Sequence, residues 1–261
     1  MPKSTNNNFY IDYSAYLKRI NYEGDLNVSL DLLQKLQYLH LLHIPFENLD
    51  IHQGVEIKME NAFSKLVERG RGGFCYELNG AFFGLLTIIG FQVRLISGRV
   101  ANKEQGFGEE FDHMAILAEI DGNRYLVDVG FGDFSAEPLK IMLNTLQHDR
   151  YGDFQIEMFD NSYLIVKKLV NDVLVPEYIF TETARIPDDF KEMCLYHQKS
   201  RNSSFTKKKI CSIATENGRI TITGDRLKIR EDKDVMEKEF GEASEFHHYL
   251  WKYFNIQLSA R

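Results

Sequence analysis

The chain has 261 residues, 44% hydrophobic and 26% charged, which is enough for one or two folding units with a sizeable core. Nineteen Phe and 13 Tyr against five Pro exclude general disorder, and a formal charge of −7 argues against a general nucleic-acid binder, whose affinity would rest on neutralising phosphates. The longest apolar stretch, 81–91, is about half of a membrane span, and residues 1–9 are polar and Asn-rich, unlike a secretory leader. Three scattered cysteines make no disulfide framework, so a reduced, cytoplasmic protein without a membrane partner is expected.

The first third reads as helical. Asp12 or Ser14 can cap a helix that carries Tyr13, Leu17 and Ile20. Ser29 opens a second, with Leu32, Leu33, Leu36 and Leu39 on one face, and it must stop near Ile44 because Pro45 disfavours helical geometry in the residue before it. A third begins after Asn61, turns Phe63, Leu66 and Val67 inward, and ends at Gly70. The fourth starts close to Cys75, carries Leu78, Phe82, Leu85, Leu86 and Ile89, and stops at Gly90. From Phe91 the apolar period becomes two, with Val93 and Leu95 alternating with Gln92 and Arg94. Runs 114–120 and 124–129 flank Asp121-Gly122, a strong hairpin signal, and runs 154–159 and 163–169 repeat the pattern around Asp160-Asn161. A barrel or strongly curved sheet is therefore expected over roughly 91–185. Ile220 and Ile222, then Leu227 and Ile229, mark short strands ahead of a C-terminal helix burying Phe246, Leu250 and Phe254. Helices first and strands later predict an α+β fold, not alternating βαβ units.

Two glycines, Gly72 and Gly73, precede Cys75, and the apolar helix follows it. A thiol at a helix N-terminus faces unpaired N–H groups and the positive end of the dipole, which favour the nucleophilic thiolate. The glycines let the loop take strained angles and let a substrate approach the backbone. A small buried hydrophobe is the plainer role for such a cysteine. A thiol nucleophile needs a base and a group that orients the base. His113 precedes the strand over 114–120 and Asp128 lies at the end of its partner, so the hairpin register makes them neighbours. Each alone reads as a structural residue, but together with Cys75 they point to nucleophilic catalysis. Other clusters are thinner. His40 with His43, and Cys194 with His197, supply two metal ligands each where a site needs three or four. Lys207-Lys208-Lys209 reads as a solvated turn, with a phosphate contact as the sharper alternative. Arg71 and Glu47 can form an ion pair bracing the Cys loop.

Arg71-Gly72-Gly73-Phe74-Cys75, Asp112-His113-Met114 and Val127-Asp128-Val129-Gly130-Phe131-Gly132 resemble the active-site blocks of the arylamine N-acetyltransferases of bacterial type. The separations of 38 residues from Cys75 to His113 and 15 from His113 to Asp128 match, as do the blocks at 44–50 and 97–100. The resemblance is dense from about 10 to 135 and thin beyond. It implies an N-terminal helical bundle over 1–90, a central β-barrel over 91–190 and a C-terminal α/β lid over 191–261, with a papain-like Cys-His-Asp site. It further implies N-acetylation of arylamines and arylhydrazines, with O-acetylation of arylhydroxylamines, in xenobiotic metabolism. Acetyl-CoA would be the cosubstrate and no metal would be needed. Cys75 would carry the acetyl group as a thioester in a ping-pong cycle, with His113 as base and Asp128 fixing its tautomer. By the same resemblance Phe46, Phe131 and Phe205 line the acceptor pocket, while Gly132 and Asp112 lie against CoA. Several relatives have Thr before the histidine, so Asp112 brings a carboxylate to that contact. An amide synthase, hydrolase or other acyltransferase using the same triad is the alternative, because a triad does not fix the acyl acceptor.

Overall fold

The computed structural model describes residues 12–102 and 106–258. Asp12, not Ser14, caps α1 (Tyr13–Arg19), its carboxylate accepting the Ala15 N–H at 3.1 Å. Ser29 caps α2 (Leu30–His43), and Ile44 then takes extended angles ahead of Pro45. The chain continues into β1 (Phe46–Glu47) and the short helix α3 (Leu49–His52). The expected third helix departs from plain α-helix: a 3-10 turn at Met59–Asn61 leads into a π-helical turn at Ser64–Glu68. The wider turn changes the inward face, so Leu66 and Lys65 are buried while Phe63 and Val67 are half-buried. Helix α4 (Cys75–Ile89) ends on Gly90 at φ 107°, a left-handed cap that costs glycine nothing.

The middle of the chain is a nine-stranded antiparallel sheet. Its strands are β2 (Gln92–Asn102), β3 (Gly106–Phe107), β4 (His113–Ile120), β5 (Asn123–Val127), β6 (Leu139–Lys140), β7 (Leu146–Asp149), β8 (Gly152–Met158), β9 (Leu164–Val170) and β10 (Val173–Phe180). The order is β6-β5-β4-β2-β10-β9-β8-β7, with β3 added to β2. The sheet curls until its ends nearly meet: the Gln147 side chain clips both the N–H and the C=O of Lys140, at 2.8 and 3.0 Å. In β4 the strand period of two sorts side chains between two cores. Ala115 and Leu117 enter the barrel with Ile96, Phe154 and Phe180, whereas Met114, Ile116 and Ala118 face the helices beside Phe82 and Leu95. Burial on both faces explains why β4 reads as a continuous apolar run. Asp121 and Gly122 both take positive φ, 50° and 72°, and the turn they form pairs Ile120 with Asn123.

The last third holds α5 (Lys191–Lys199), β11 (Ile210–Thr215), β12 (Gly218–Thr223), β13 (Arg226–Glu231), β14 (Asp234–Glu239) and α6 (Ala243–Phe254). These strands follow one another across a sheet whose first member is β1, with Phe46 opposite Ser212 and Glu47 opposite Cys211. The first and last thirds of the chain therefore share a sheet. Helix α6 buries Phe246, Tyr249, Leu250 and Phe254 against it, beside Leu49, Cys211, Ile222 and Leu227. Each such side chain contributes about 1.5–3 kcal/mol by leaving water. Among the described residues no helix is long and apolar enough to cross a membrane.

Candidate active site

The loop before α4 is pinned to β1. Gly73 N–H donates to Pro45 O at 3.2 Å and Glu47 N–H donates to Gly73 O at 2.8 Å. A Cβ on Gly72 would lie 2.1 Å from Pro45 O, and one on Gly73 2.7 Å from Glu77 Cβ. Neither glycine has a positive φ, so close packing, and not strained angles, excludes side chains there.

Behind the loop sits a buried charge cluster. Arg71 Nη2 reaches Glu47 at 2.7 Å and Asp50 at 2.9 Å, so the expected Arg71–Glu47 pair is present within a larger group. Lys65 Nζ adds contacts of 2.9 Å to Asp50, 3.0 Å to Glu77 and 3.6 Å to Glu47. Burial pushes the Glu77 carboxyl up to about 7 against the opposing charge of Lys65. Burial also works to raise Asp50, but Lys65 and Arg71 together hold it below the ordinary carboxyl range. Glu77 accepts the Phe74 N–H at 3.2 Å, which ties the cluster to the residue before Cys75.

Cys75 is the first residue of α4 and is 3% exposed. Burial pushes its thiol well above the ordinary range, a hydrogen bond from the Met114 N–H opposes this, and the charges of Asp128 and Asp112 add to the rise. A Cβ on Gly130 would fall 2.7 Å from Cys75 Cα, so the segment after β5 lies directly on the cysteine backbone.

His113 opens β4 and Asp128 follows β5, and the hairpin brings His113 Nε2 to 2.6 Å from Asp128 Oδ2, both residues being 2% exposed or less. Asp128 is fully hydrogen-bonded. Tyr178 Oη donates to Oδ2 at 2.9 Å, while Asn79 Nδ2, Gly130 N–H and Phe131 N–H donate to Oδ1 at 2.9–3.0 Å. Burial alone would raise this carboxyl; the charge and hydrogen bond of His113, with the hydrogen bonds of Asn79 and Gly130, hold it below its ordinary range. With Nε2 committed to Asp128, Nδ1 is the ring nitrogen left for chemistry. Asn79 also donates to Met114 O at 2.6 Å and accepts the Val129 N–H at 3.0 Å, locking α4 to both sides of the hairpin. Sequence reasoning did not single out Asn79 or Tyr178. Asn79 had a signal, one helical turn beyond Cys75 on the same face. Tyr178 comes from β10, and nothing local marks it.

The expected pocket aromatics fall into two groups. Phe131 lies edge-on to His113, centroids 5.1 Å apart, while Phe46 and Phe205 pack together at 6.0 Å with Phe205 also against Phe74 at 6.1 Å. Phe46, Phe131 and Gly132 line one cleft, which Ser212 and Arg219 complete. A Cβ on Gly132 would meet no protein atom within 4 Å. Beyond it Lys168, Arg219 and Arg230 surround Asp133. Burial would raise the Asp133 carboxyl, but the Arg230 hydrogen bonds and the neighbouring cations bring it to about 2. Asp112, although adjacent to His113, turns its carboxylate away from the imidazole to His197 Nε2, 3.0 Å distant. Lys207, Lys208 and Lys209 are exposed. His40 is buried with Nδ1 on Tyr16 Oη, and His43 bonds Leu39 O and Asn21. Among the described residues no three His, Cys, Asp or Glu side chains are grouped to hold a metal.

Residues 29–261 match a family model described as N-acetyltransferase. Arylamine N-acetyltransferase 1 of Bos taurus is 30% identical, over 96% of this chain and 96% of its own. The structure of the arylamine N-acetyltransferase from M. tuberculosis has a TM-score of 0.88 at 29% identity and covers 94% of each chain. That of Mycobacterium marinum arylamine N-acetyltransferase in complex with CoA has a TM-score of 0.87 at 29% identity, covering 94% of this chain and 93% of that one. The chain belongs to the arylamine N-acetyltransferase family, and is an acyltransferase.

Proposed function

We propose that this protein transfers acetyl from acetyl-CoA to arylamines and arylhydrazines, and to arylhydroxylamine oxygens, by a ping-pong cycle through a thioester on Cys75. The observation that carries the reading is the buried His113–Asp128 pair, 2.6 Å across, whose Asp128 also holds Gly130 against the Cys75 backbone. Burial makes a lone thiolate costly, so the anion forms only as the partner of a His113 imidazolium, which the ionised Asp128 stabilises. His113 Nδ1 takes the Cys75 proton, Sγ attacks the acetyl carbonyl, and the C–S bond to CoA breaks as CoA leaves with that proton. The amine nitrogen then attacks the thioester and gives a proton to His113. Collapse forms the amide and returns the proton to Cys75 as the free thiol.

Phe131, beside His113, and Phe46 across the cleft supply ring faces for an aromatic acceptor, and Phe205 extends that surface from the other side of Phe46. Gly132 leaves room for CoA, and the cations around Asp133 suit its phosphates. The Asp112 carboxylate is already engaged by His197 and the Val100 N–H, which favours Gly132 over Asp112 as the CoA contact. A reducing cytoplasm would keep the three cysteines as thiols. Initial rates with acetyl-CoA and an arylamine varied together test the reading. Parallel double-reciprocal lines and amide product are expected; intersecting lines, or hydrolysis without amide, would overturn it.

A further inference from the structure

A second, largely buried His–Asp pair stands next to the first. His197, on α5, places Nε2 3.0 Å from Asp112 Oδ1, near enough for a charge pair though poorly aligned for a hydrogen bond. Their side chains are 8% and 18% exposed. The other ring nitrogen, Nδ1, meets Ser203 Oγ at 3.1 Å, and that same oxygen accepts the Phe205 N–H at 3.2 Å. As the imidazolium that pairs with a carboxylate, His197 donates Nδ1–H to Ser203 Oγ and turns Nε2–H toward Asp112. The Asp112 carboxylate has one further donor, the Val100 N–H at 3.3 Å. Without His197 it would be a largely buried anion with a single long hydrogen bond.

The turn that carries Asp112 also delivers His113. Phe111 sits at φ 68°, a left-handed geometry that a bulky residue keeps only when its surroundings enforce it. Ser97 Oγ accepts the Phe111 N–H at 2.8 Å, and Tyr76 Oη, on the residue after Cys75, donates to Phe111 O at 2.8 Å. His197 packs on the rings of Tyr76 and Phe205, centroids 6.2 and 5.2 Å away. The neighbours of the nucleophile and of the base are thus gathered under one histidine of the last third.

We propose that His197 is the counter-ion of Asp112 and a positioning residue for acetyl transfer, holding the turn before His113 and shielding the Cys75 thiol from the Asp112 charge. The inference rests on the reading of Cys75 as the acetylated nucleophile. Burial is the largest influence raising that thiol, and the Asp112 charge acts in the same direction, so an unshielded Asp112 raises it further. The titratable groups bearing on Cys75 are Asp128 and Asp112 from the barrel, Cys194 from α5 and Tyr76 from α4; those facing His197 are Asp112, Tyr76 and Tyr196.

The test is the pH profile of Cys75 alkylation by iodoacetamide, located by peptide mass spectrometry, in the full chain and in His197→Gln, Asp112→Asn and the double variant. His197→Gln should move the profile up by about one pH unit and slow Cys75 acetylation about tenfold, the size of one poorly screened charge nearby. Asp112→Asn alone should not raise the profile, and adding it to His197→Gln should bring the profile back down. A double variant as impaired as His197→Gln would show that the histidine acts by packing alone and would overturn the proposal, as would an unchanged profile in His197→Gln. Should His197→Gln fail to fold, a folded double variant with the parent profile supports the charge pairing, and a double variant that also fails to fold overturns it. Failure of the parent protein to form acetyl-Cys75 would instead overturn the functional reading, leaving the alkylation comparison valid.

Discussion

Lys65→Met tests the charge cluster that braces the Cys loop. The ammonium lies within 3.6 Å of Glu47, Asp50 and Glu77, and none of the four side chains is more than 8% exposed. Met keeps much of the stem's volume but leaves Glu47 and Asp50 with Arg71 alone and removes the cation paired with Glu77. Removing one partner of a buried ion pair costs about 3–5 kcal/mol, because the other charge remains buried. Part of that cost is relieved by protonation. Burial already pushes Glu77 up to about 7, against an ordinary 4.5, and the variant removes its cationic neighbour, so its carboxyl rises further. A carboxyl raised on folding contributes stability that is full below its unfolded pKa and is lost as pH climbs through the folded one. In the parent that loss ends a little above pH 7. In the variant it continues, at up to about 1.4 kcal/mol per pH unit. Urea unfolding followed by far-UV circular dichroism should therefore show a penalty about 1–2 kcal/mol larger at pH 8 than at pH 6. Adding Glu77→Gln should recover that excess at pH 8 and little at pH 6. A penalty below about 1 kcal/mol at both pH values, or one independent of pH, would refute the reasoning.

Asp128→Asn should slow Cys75 acetylation by about 10²–10⁴-fold, read from the burst of CoA release, because His113 loses the carboxylate that holds its tautomer and stabilises its cation. The same carboxyl is held below its ordinary pKa, so its share of stability is present above the ordinary value and lost as pH falls through the depressed one; acid unfolding of Asp128→Asn should be correspondingly flatter. Phe131→Ala should raise the acceptor KM several-fold, the loss of an aromatic contact worth about 0.5–1.5 kcal/mol, and change thioester formation less. Gly130→Ala should cost about 1–3 kcal/mol in urea unfolding and depress turnover, since its Cβ would sit 2.7 Å from both Cys75 Cα and Asn79 Nδ2.

The site was legible where its signals are local. Gly72-Gly73 before Cys75 and the apolar periodicity after it mark the loop and α4, and the Asp121-Gly122 turn sets the register that brings His113 to Asp128. What stayed hidden depends on long-range packing. The two residues of β1 have no strand period, and only their pairing with Ser212 and Cys211 makes them a strand. Lys65 reads as an exposed helical lysine until the π turn carries it inward to carboxylates supplied by α3 and α4. Strand β14 is exposed along its whole length, so no buried face patterns its sequence. Tyr178 and His197 meet the hairpin from 50 and more residues away, through contacts no spacing rule anticipates.

The most direct measurement is intact-protein mass spectrometry after mixing the enzyme with acetyl-CoA and no acceptor, followed by peptide mapping and then addition of an arylamine. One acetyl group on Cys75, absent from Cys75→Ala and present in Cys211→Ala, should appear and then vanish as the acetylated amine forms. Acetyl on a different residue, or amide formation by Cys75→Ala, would contradict the account.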